Sequence, residues 1–153
     1  VSDVAIVLSK FFGVLSFFVI IWTPTAAYAV ILEAFSIEAA PLDEGPLLSG
    51  YLGTLLLGMW FLSIGIFCSA ISRRQVIAAV TCFSLCGFLF YLGFLQYYTP
   101  NVWLRELSTY LSVVLHQLEF ARGVIDTRPV VLYLSGTAFM LFLTIRCLEV
   151  RHW

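Results

Sequence analysis

The chain contains four long stretches in which no residue is charged. They cover residues 11–32, 50–71, 76–97 and 129–145. An α-helix of about 20 apolar residues is long enough to cross a bilayer core of roughly 30 Å. The sequence therefore predicts a membrane protein that crosses the bilayer four times.

The composition points to the same class. Hydrophobic residues make up 61% of the chain and charged residues 11%, whereas soluble domains carry about a quarter charged residues. We expect an all-α, polytopic membrane helical bundle that forms a single transmembrane domain over residues 1–153. The predicted transmembrane helices are 11–35, 48–71, 76–97 and 129–146, with an external amphipathic or re-entrant helix at 103–123 and terminal segments at 1–10 and 147–153.

The positions of the charges predict an orientation. The short turn Ser72–Gln75 carries Arg73 and Arg74, and short loops rich in Lys and Arg stay in the cytoplasm. Four spans then put both ends of this chain on the cytoplasmic side. That side would carry five basic and two acidic residues, and the external side three basic and seven acidic residues.

The external segment mixes apolar and polar residues at helical spacing. Leu104, Leu107, Leu111, Leu115 and Leu118 would form one stripe, and Arg105, Ser108, Ser112, His116 and Glu119 another. Such a helix would lie in the outer interface or dip into the membrane and return.

His116, Glu119 and Arg122 form a possible polar cluster on this helix. A single His and Glu three residues apart is a weak metal signal, since a metal site needs three or four ligands. The simpler interpretation is a solvated polar face with an ion pair between Glu119 and Arg122. A proton relay or an intramembrane enzyme that uses His116 and Glu119 is the less favoured alternative.

Small residues predict helix packing in the second span. Gly50, Gly53, Gly58 and Gly65 would let neighbouring helices approach closely, which is how helices associate in lipid. In the first span, Pro24 removes a backbone donor and should kink the helix. The cysteines inside the spans are expected to act as small hydrophobic residues.

No motif for catalysis, phosphate binding or metal binding is visible. The cores of the spans also lack the buried ionisable groups that ion-coupled transporters use. We therefore expect no catalytic residue, no metal and no cofactor on this chain, and any transport would be driven from elsewhere.

Three segments resemble the permease subunits of type 2 ABC exporters, and in particular the GldF-like branch of gliding motility. They are Val1–Phe11, the run Gly50–Gly58 with Gly65 and Ser69–Arg74 after it, and Glu119–Arg128. Permeases of this family have six spans, with a cytoplasmic coupling segment between the second and third and an external re-entrant helical region between the fifth and sixth. On that alignment the chain holds the third to sixth spans and lacks the first two.

The resemblance implies half of an ATP-driven transporter in a bacterial inner membrane. A separate ABC ATPase subunit would bind ATP and Mg, a second permease copy or paralogue would complete the pathway, and membrane lipid would surround both, with no role for nucleic acid. Asp3 and Lys10 are the residues expected to contact the ATPase. The substrate leaves no signature in the sequence.

A second hypothesis is a structural or assembly subunit of a larger membrane complex that does not transport. Pull-down separates the two, because only the transporter would bring down an ATPase.

Overall fold

A computed structural model of the chain describes residues 3–35 and 43–151. Helix accounts for 88% of the structure, and none of the residues in these two ranges forms a strand. Four helical segments are long and apolar enough to cross a membrane, namely Asp3–Phe35, Glu44–Ile71, Gln75–Tyr97 and Thr127–Val150. The predicted all-α fold with four candidate spans is confirmed.

The first span has two helices. Helix α1 covers Asp3–Trp22 and α2 covers Ala26–Phe35, and a 3₁₀ turn at Thr23–Thr25 separates them. Pro24 lies in this turn, where its ring and missing N–H are incompatible with a continuous α-helix. A 3₁₀ turn thus interrupts the α-helix at Pro24, the position where a kink was predicted. Because α1 begins at Asp3, the described part of the predicted coupling segment is the first two turns of the span.

The second span, α3, is the centre of the bundle. It covers Glu44–Ile71, and the side chain of Asp43 caps its first turn by accepting a hydrogen bond from the Gly45 N–H at 3.3 Å. Its 28 residues correspond to about 42 Å at 1.5 Å per residue, which exceeds the bilayer core. Helix α3 contacts the first span, the third span, the last span and the external segment.

The third and last spans complete the transmembrane part. Helix α4 covers Gln75–Leu92 and is followed by a 3₁₀ turn at Leu95–Tyr97. Helix α7 covers Thr127–Arg151, so the last span continues through most of the segment predicted as a tail. None of the residues of α4 is fully buried. Cys82, Leu85, Cys86 and Leu89 are half-buried against the core, and the opposite face of α4 is available to lipid or to a partner.

The external segment differs from the prediction of one helix over 103–123. It forms two helices, α5 at Val102–Tyr110 and α6 at Val113–Ala121. Ser112 has an extended backbone with ψ of 98°, and its side chain caps α6 by accepting from the Leu115 N–H at 3.4 Å. This cap replaces the continuing helical hydrogen bonds and breaks the predicted helix. We call α5 and α6 together the hairpin, as a name for the segment only, because α5 packs mainly on the 3₁₀ turn Leu95–Tyr97 and α6 mainly on α3.

The two ends of the bundle differ in what they carry. Lys10, Ala70 and Leu148 line one cavity, so the start of α1 and the end of α7 lie at the same end as the turn with Arg73 and Arg74. We call this the arginine-turn end. The hairpin lies at the opposite end, which we call the hairpin end.

Candidate functional site

The hairpin buries some of its polar residues and exposes some of its leucines. Ser108, Ser112, His116 and Phe120 are buried, whereas Leu104, Leu107 and Leu118 are each at least 45% exposed. The predicted apolar and polar stripes therefore exist in part, but the polar one is not the solvated face. A polar group that faces lipid lacks hydrogen-bond partners. A segment with lipid on one side and protein on the other is therefore more stable when its polar groups face the protein.

His116 connects the hairpin to the last span. Its Nδ1 lies 3.2 Å from the Tyr133 hydroxyl, and the two rings meet edge to face with centroids 5.8 Å apart. Tyr133 is fully buried and packs on Trp60 of α3 with ring centroids 5.6 Å apart. His116, Tyr133 and Trp60 therefore join α6, α7 and α3 in one aromatic cluster.

Two hydrogen bonds to main-chain carbonyls fix α6 against α3. The Ser49 hydroxyl donates to the Phe120 carbonyl, and Gln117 Nε2 donates to the Gly53 carbonyl at 3.0 Å. Tyr133 lies about 9 Å along α7 from Thr127 at 1.5 Å per residue. Since His116 contacts Tyr133, the part of α6 around His116 lies deeper in the bundle than the first residue of α7.

A cleft of about 670 Å³ opens beside His116 between the hairpin and the start of α7. Arg105 and Glu106 from α5, Glu119 from α6, and Asp126 and Arg128 near the start of α7 supply its charges. Among the residues that the structure describes, none of these five side chains forms an ion pair with another. The remaining walls come from Pro100, Val102, Thr109, Tyr110, Leu115 and Pro129.

The pKa of His116 is lowered from its ordinary value because burial disfavours the charged imidazolium. Glu119 and Asp126 oppose this effect by Coulomb attraction, but burial is the larger cause. His116 is therefore held neutral at pH 7. One of its ring nitrogens faces Tyr133, and the other has no protein partner within residues 3–35 and 43–151.

The predicted cluster of His116, Glu119 and Arg122 is only partly brought together. Glu119 lines the same cleft as His116, while Arg122 is exposed and does not line it. The expected Glu119–Arg122 ion pair is wrong, since the described part of the chain has its one salt bridge between Arg146 and Glu149. Arg122 is the C-cap of α6, the position at which the helix ends.

A second cavity, of about 680 Å³, lies at the arginine-turn end. Lys10 from α1, Ser69 from α3, Cys82 from α4 and Thr144 from α7 line it together with apolar side chains. Asp3 is half-buried and lies outside its lining. The two residues expected to contact an ATPase therefore lie in the same helix, but only Lys10 borders this cavity.

The four glycines of α3 that were predicted to pack have different surroundings. A Cβ on Gly53 would lie 2.6 Å from the Phe120 ring, and one on Gly58 would lie 2.5 Å from the Phe18 ring. A Cβ on Gly65 would reach Cys82 Sγ at 3.7 Å, which is ordinary contact, and one on Gly50 would meet nothing within 4 Å. Close approach of α6 thus requires glycine at Gly53, whereas at Gly58 the far end of the Phe18 ring would have to move.

Several residues of the site had no signal in the sequence. Tyr133 and Trp60 lie in apolar spans, where an aromatic residue is unremarkable, and Asp126 and Arg128 looked like ordinary loop charges. The buried row did leave a pattern, because Ser108, Ser112, His116 and Phe120 recur at intervals of four residues, and the first three belong to the predicted polar stripe.

Comparisons of the chain with protein families, with curated proteins and with solved structures found no match. Within the described ranges, no group of three or more His, Cys, Asp or Glu side chains is placed to hold a metal ion.

Proposed function

We propose that this chain is a membrane-spanning permease subunit of an ATP-driven exporter of the type 2 ABC class. The observation that carries the proposal is the hairpin, which lies between the last two spans and returns into the bundle with its polar row inward. The resemblance of the sequence implies a re-entrant region at the same place in the chain. In this proposal the bacterial inner membrane holds the bundle, and the arginine-turn end faces the cytoplasm.

Two cavities at opposite ends of the bundle support a transport role. The cleft at the hairpin end and the cavity beside Lys10 are separated by packed side chains that include Leu56, Trp60 and Tyr133. An alternating-access carrier needs such a closed layer between two openings, and a rigid-body movement of helices shifts the opening from one side to the other. This chain would supply half of that pathway, and a second permease would supply the rest.

The energy would come from a separate ATPase subunit at the arginine-turn end. The first turns of α1 are continuous with the first span, so a push on Asp3 or Lys10 would be transmitted along a rigid helix. The exposed face of α4 gives a second permease, or lipid, an apolar surface to contact.

Affinity purification from the native membrane tests the proposal. The tagged chain should bring down an ABC ATPase, and ATP hydrolysis by the complex should require it. Replacing both Asp3 and Lys10 with alanine should reduce the amount of bound ATPase at least tenfold.

The control is Glu33→Ala, which changes a charge near the opposite end of the first span and should leave the complex intact. A stable complex that contains no ATPase would contradict the proposal and favour the structural or assembly subunit. A change in activity on replacing His116 and Glu119, with no ATPase present, would instead favour the intramembrane enzyme.

A further inference from the structure

The cleft at the hairpin end carries unpaired charges of both signs. Arg105 and Arg128 are exposed at its rim, and Glu106, Glu119 and Asp126 lie around the same opening. Opposite charges that line one opening can form charge-assisted hydrogen bonds with each other, yet none of these does so in the described ranges. Their hydrogen-bonding capacity is therefore available to a ligand that carries both charges.

A buried polar group lies at the floor of this cleft. His116 is 7% exposed, and its Nδ1 is engaged by the Tyr133 hydroxyl. Its Nε2 has no partner among the described residues, although it is not fully enclosed. A neutral imidazole has one donor and one acceptor nitrogen, and so Nε2 can hydrogen-bond a ligand that enters the cleft.

Two of the three carboxylates lie near the floor of the cleft, since Glu119 and Asp126 act on His116 by Coulomb attraction. The third, Glu106, is exposed and follows Arg105 directly in α5. Asp126 Oδ1 also accepts a hydrogen bond from the Arg128 N–H at 3.1 Å, which fixes the turn between them. The guanidinium groups of Arg105 and Arg128 belong to residues exposed at the rim.

The position of the cleft matches the depth of lipid headgroups. It lies where the third span ends and the last span begins, next to Tyr97, Tyr98 and Trp103, which are all more than 70% exposed. Tyr and Trp rings of this kind concentrate at the membrane–water interface. A phospholipid in that leaflet can reach the cleft from the side.

We infer that this cleft binds the amine–phosphate headgroup of a phospholipid, with the ammonium on Glu119 and Asp126 and the phosphate on Arg105 and Arg128. A metal ion fits less well, because the carboxylates and His116 do not converge on one point. A primary ammonium donates three hydrogen bonds to these acceptors, whereas a quaternary ammonium donates none. The site should therefore prefer phosphatidylethanolamine to phosphatidylcholine, and this holds whether or not the chain transports.

Native mass spectrometry of the intact chain tests the inference. The purified protein is titrated with phosphatidylethanolamine or with phosphatidylcholine of the same acyl chains. We expect phosphatidylethanolamine to bind about tenfold more tightly, which corresponds to the loss of one charge-assisted hydrogen bond. The double variant Glu119→Gln/Asp126→Asn should remove this preference. The double variant Arg105→Gln/Arg128→Gln should weaken the binding of both lipids.

Two single variants serve as controls outside the cleft. Glu44→Gln removes an exposed carboxylate at the same end, and Arg146→Gln removes a guanidinium at the other end; both should bind as the parent does. Equal affinity of the parent for the two lipids would overturn the inference, and so would an unchanged preference in Glu119→Gln/Asp126→Asn. Circular dichroism checks that each variant keeps its helical content.

Competition with free glycerophosphoethanolamine distinguishes a lipid from a soluble ligand. If the free headgroup does not displace the lipid at equal concentration, the bilayer is the source of the ligand. If it displaces the lipid through the same four side chains, the amine–phosphate site stands and its ligand is soluble. If glycerophosphoethanolamine displaces the lipid equally well from the parent and from the charge variants, the proposed headgroup site is wrong.

Discussion

Gly53 and Gly50 make a matched pair within α3. Both lie in the first half of the helix, but only Gly53 faces a ring, where an added Cβ would also lie 2.9 Å from Phe120 Cβ. That atom is attached to the main chain of α6 and cannot move without it. We therefore expect Gly53→Ala to lower the stability of the bundle by about 1–3 kcal/mol, the usual cost of overpacking.

Thermal unfolding in detergent measures this effect. Gly50→Ala is the control, and it should leave the midpoint unchanged or raise it, since alanine favours helix by about 1 kcal/mol over glycine. Equal unfolding midpoints for Gly53→Ala and Gly50→Ala would show that α6 does not pack closely against Gly53.

His116 makes stability depend on pH. Burial lowers its folded-state pKa below the ordinary value of 6.5, so the unfolded chain takes up a proton first as the pH falls. The free energy of unfolding should therefore decrease as the pH drops below about 6.5 and stop decreasing below the folded-state pKa. We expect His116→Gln to remove this part of the pH dependence.

Unfolding midpoints between pH 8 and pH 5 check the sign. His152→Gln is the control, because it removes the other histidine of the chain and should keep the slope that His116 causes. If the unfolding midpoint of His116→Gln still falls between pH 8 and pH 5 as in the parent, other groups cause the pH dependence.

Some positions of α5 and α6 have the reverse of the polarity that water would impose. Ser112 is 1% exposed, caps α6 and lies against Gly93, where a Cβ on the glycine would approach Ser112 Oγ to 2.8 Å. Leu118, two turns later, is 47% exposed. We expect Ser112→Val to destabilise the bundle by about 1–2 kcal/mol through the lost cap, and Leu118→Ala to change stability by less than about 0.5 kcal/mol.

Limited proteolysis of the hairpin in detergent compares the two variants. Faster cleavage near residues 111–113 is expected in Ser112→Val alone. Faster cleavage in Leu118→Ala would mean that the leucine side of α6 faces protein.

The same two helices show how far the sequence could predict this fold. Long uncharged runs can satisfy their backbone in lipid only as helices, so the number and order of the spans followed from composition. The inward direction of the polar row could not be predicted, because periodicity identifies a helix face but does not show whether protein, lipid or water covers that face. His116 was interpreted as solvated, and its partner Tyr133 lies in an apolar span with no pattern to mark it.

Helix ends were harder to predict than helices. Ser112 looks like any polar residue of an amphipathic stretch, yet its side chain ends one helix and begins another. Arg122 was expected to follow Glu119 on one face, but the helix ends at Ala121. A side chain that caps a helix end competes with continuation of the helix, and the two alternatives differ little in free energy. Tertiary packing then decides which of the two forms.

The bundle as a whole segregates its charges between two ends. Lys10, Arg73, Arg74 and Arg146 lie at the arginine-turn end, and the acidic excess lies at the hairpin end with Glu44, Glu106 and Asp126. Short basic loops stay in the cytoplasm, so this asymmetry predicts one orientation for four spans and a hairpin that enters and leaves on the external side. The proposed ATPase contact and the proposed headgroup site both depend on that orientation.

Single-cysteine labelling in intact cells tests this arrangement most directly. In a background without the four native cysteines, a maleimide that cannot cross the membrane should label Asp43→Cys, Asn101→Cys and Val124→Cys from outside. Ser72→Cys and Glu149→Cys should react only after the membrane is permeabilised. Labelling of Ser72→Cys from outside, or protection of either Asn101→Cys or Val124→Cys, would contradict four spans with a hairpin that returns to the external side.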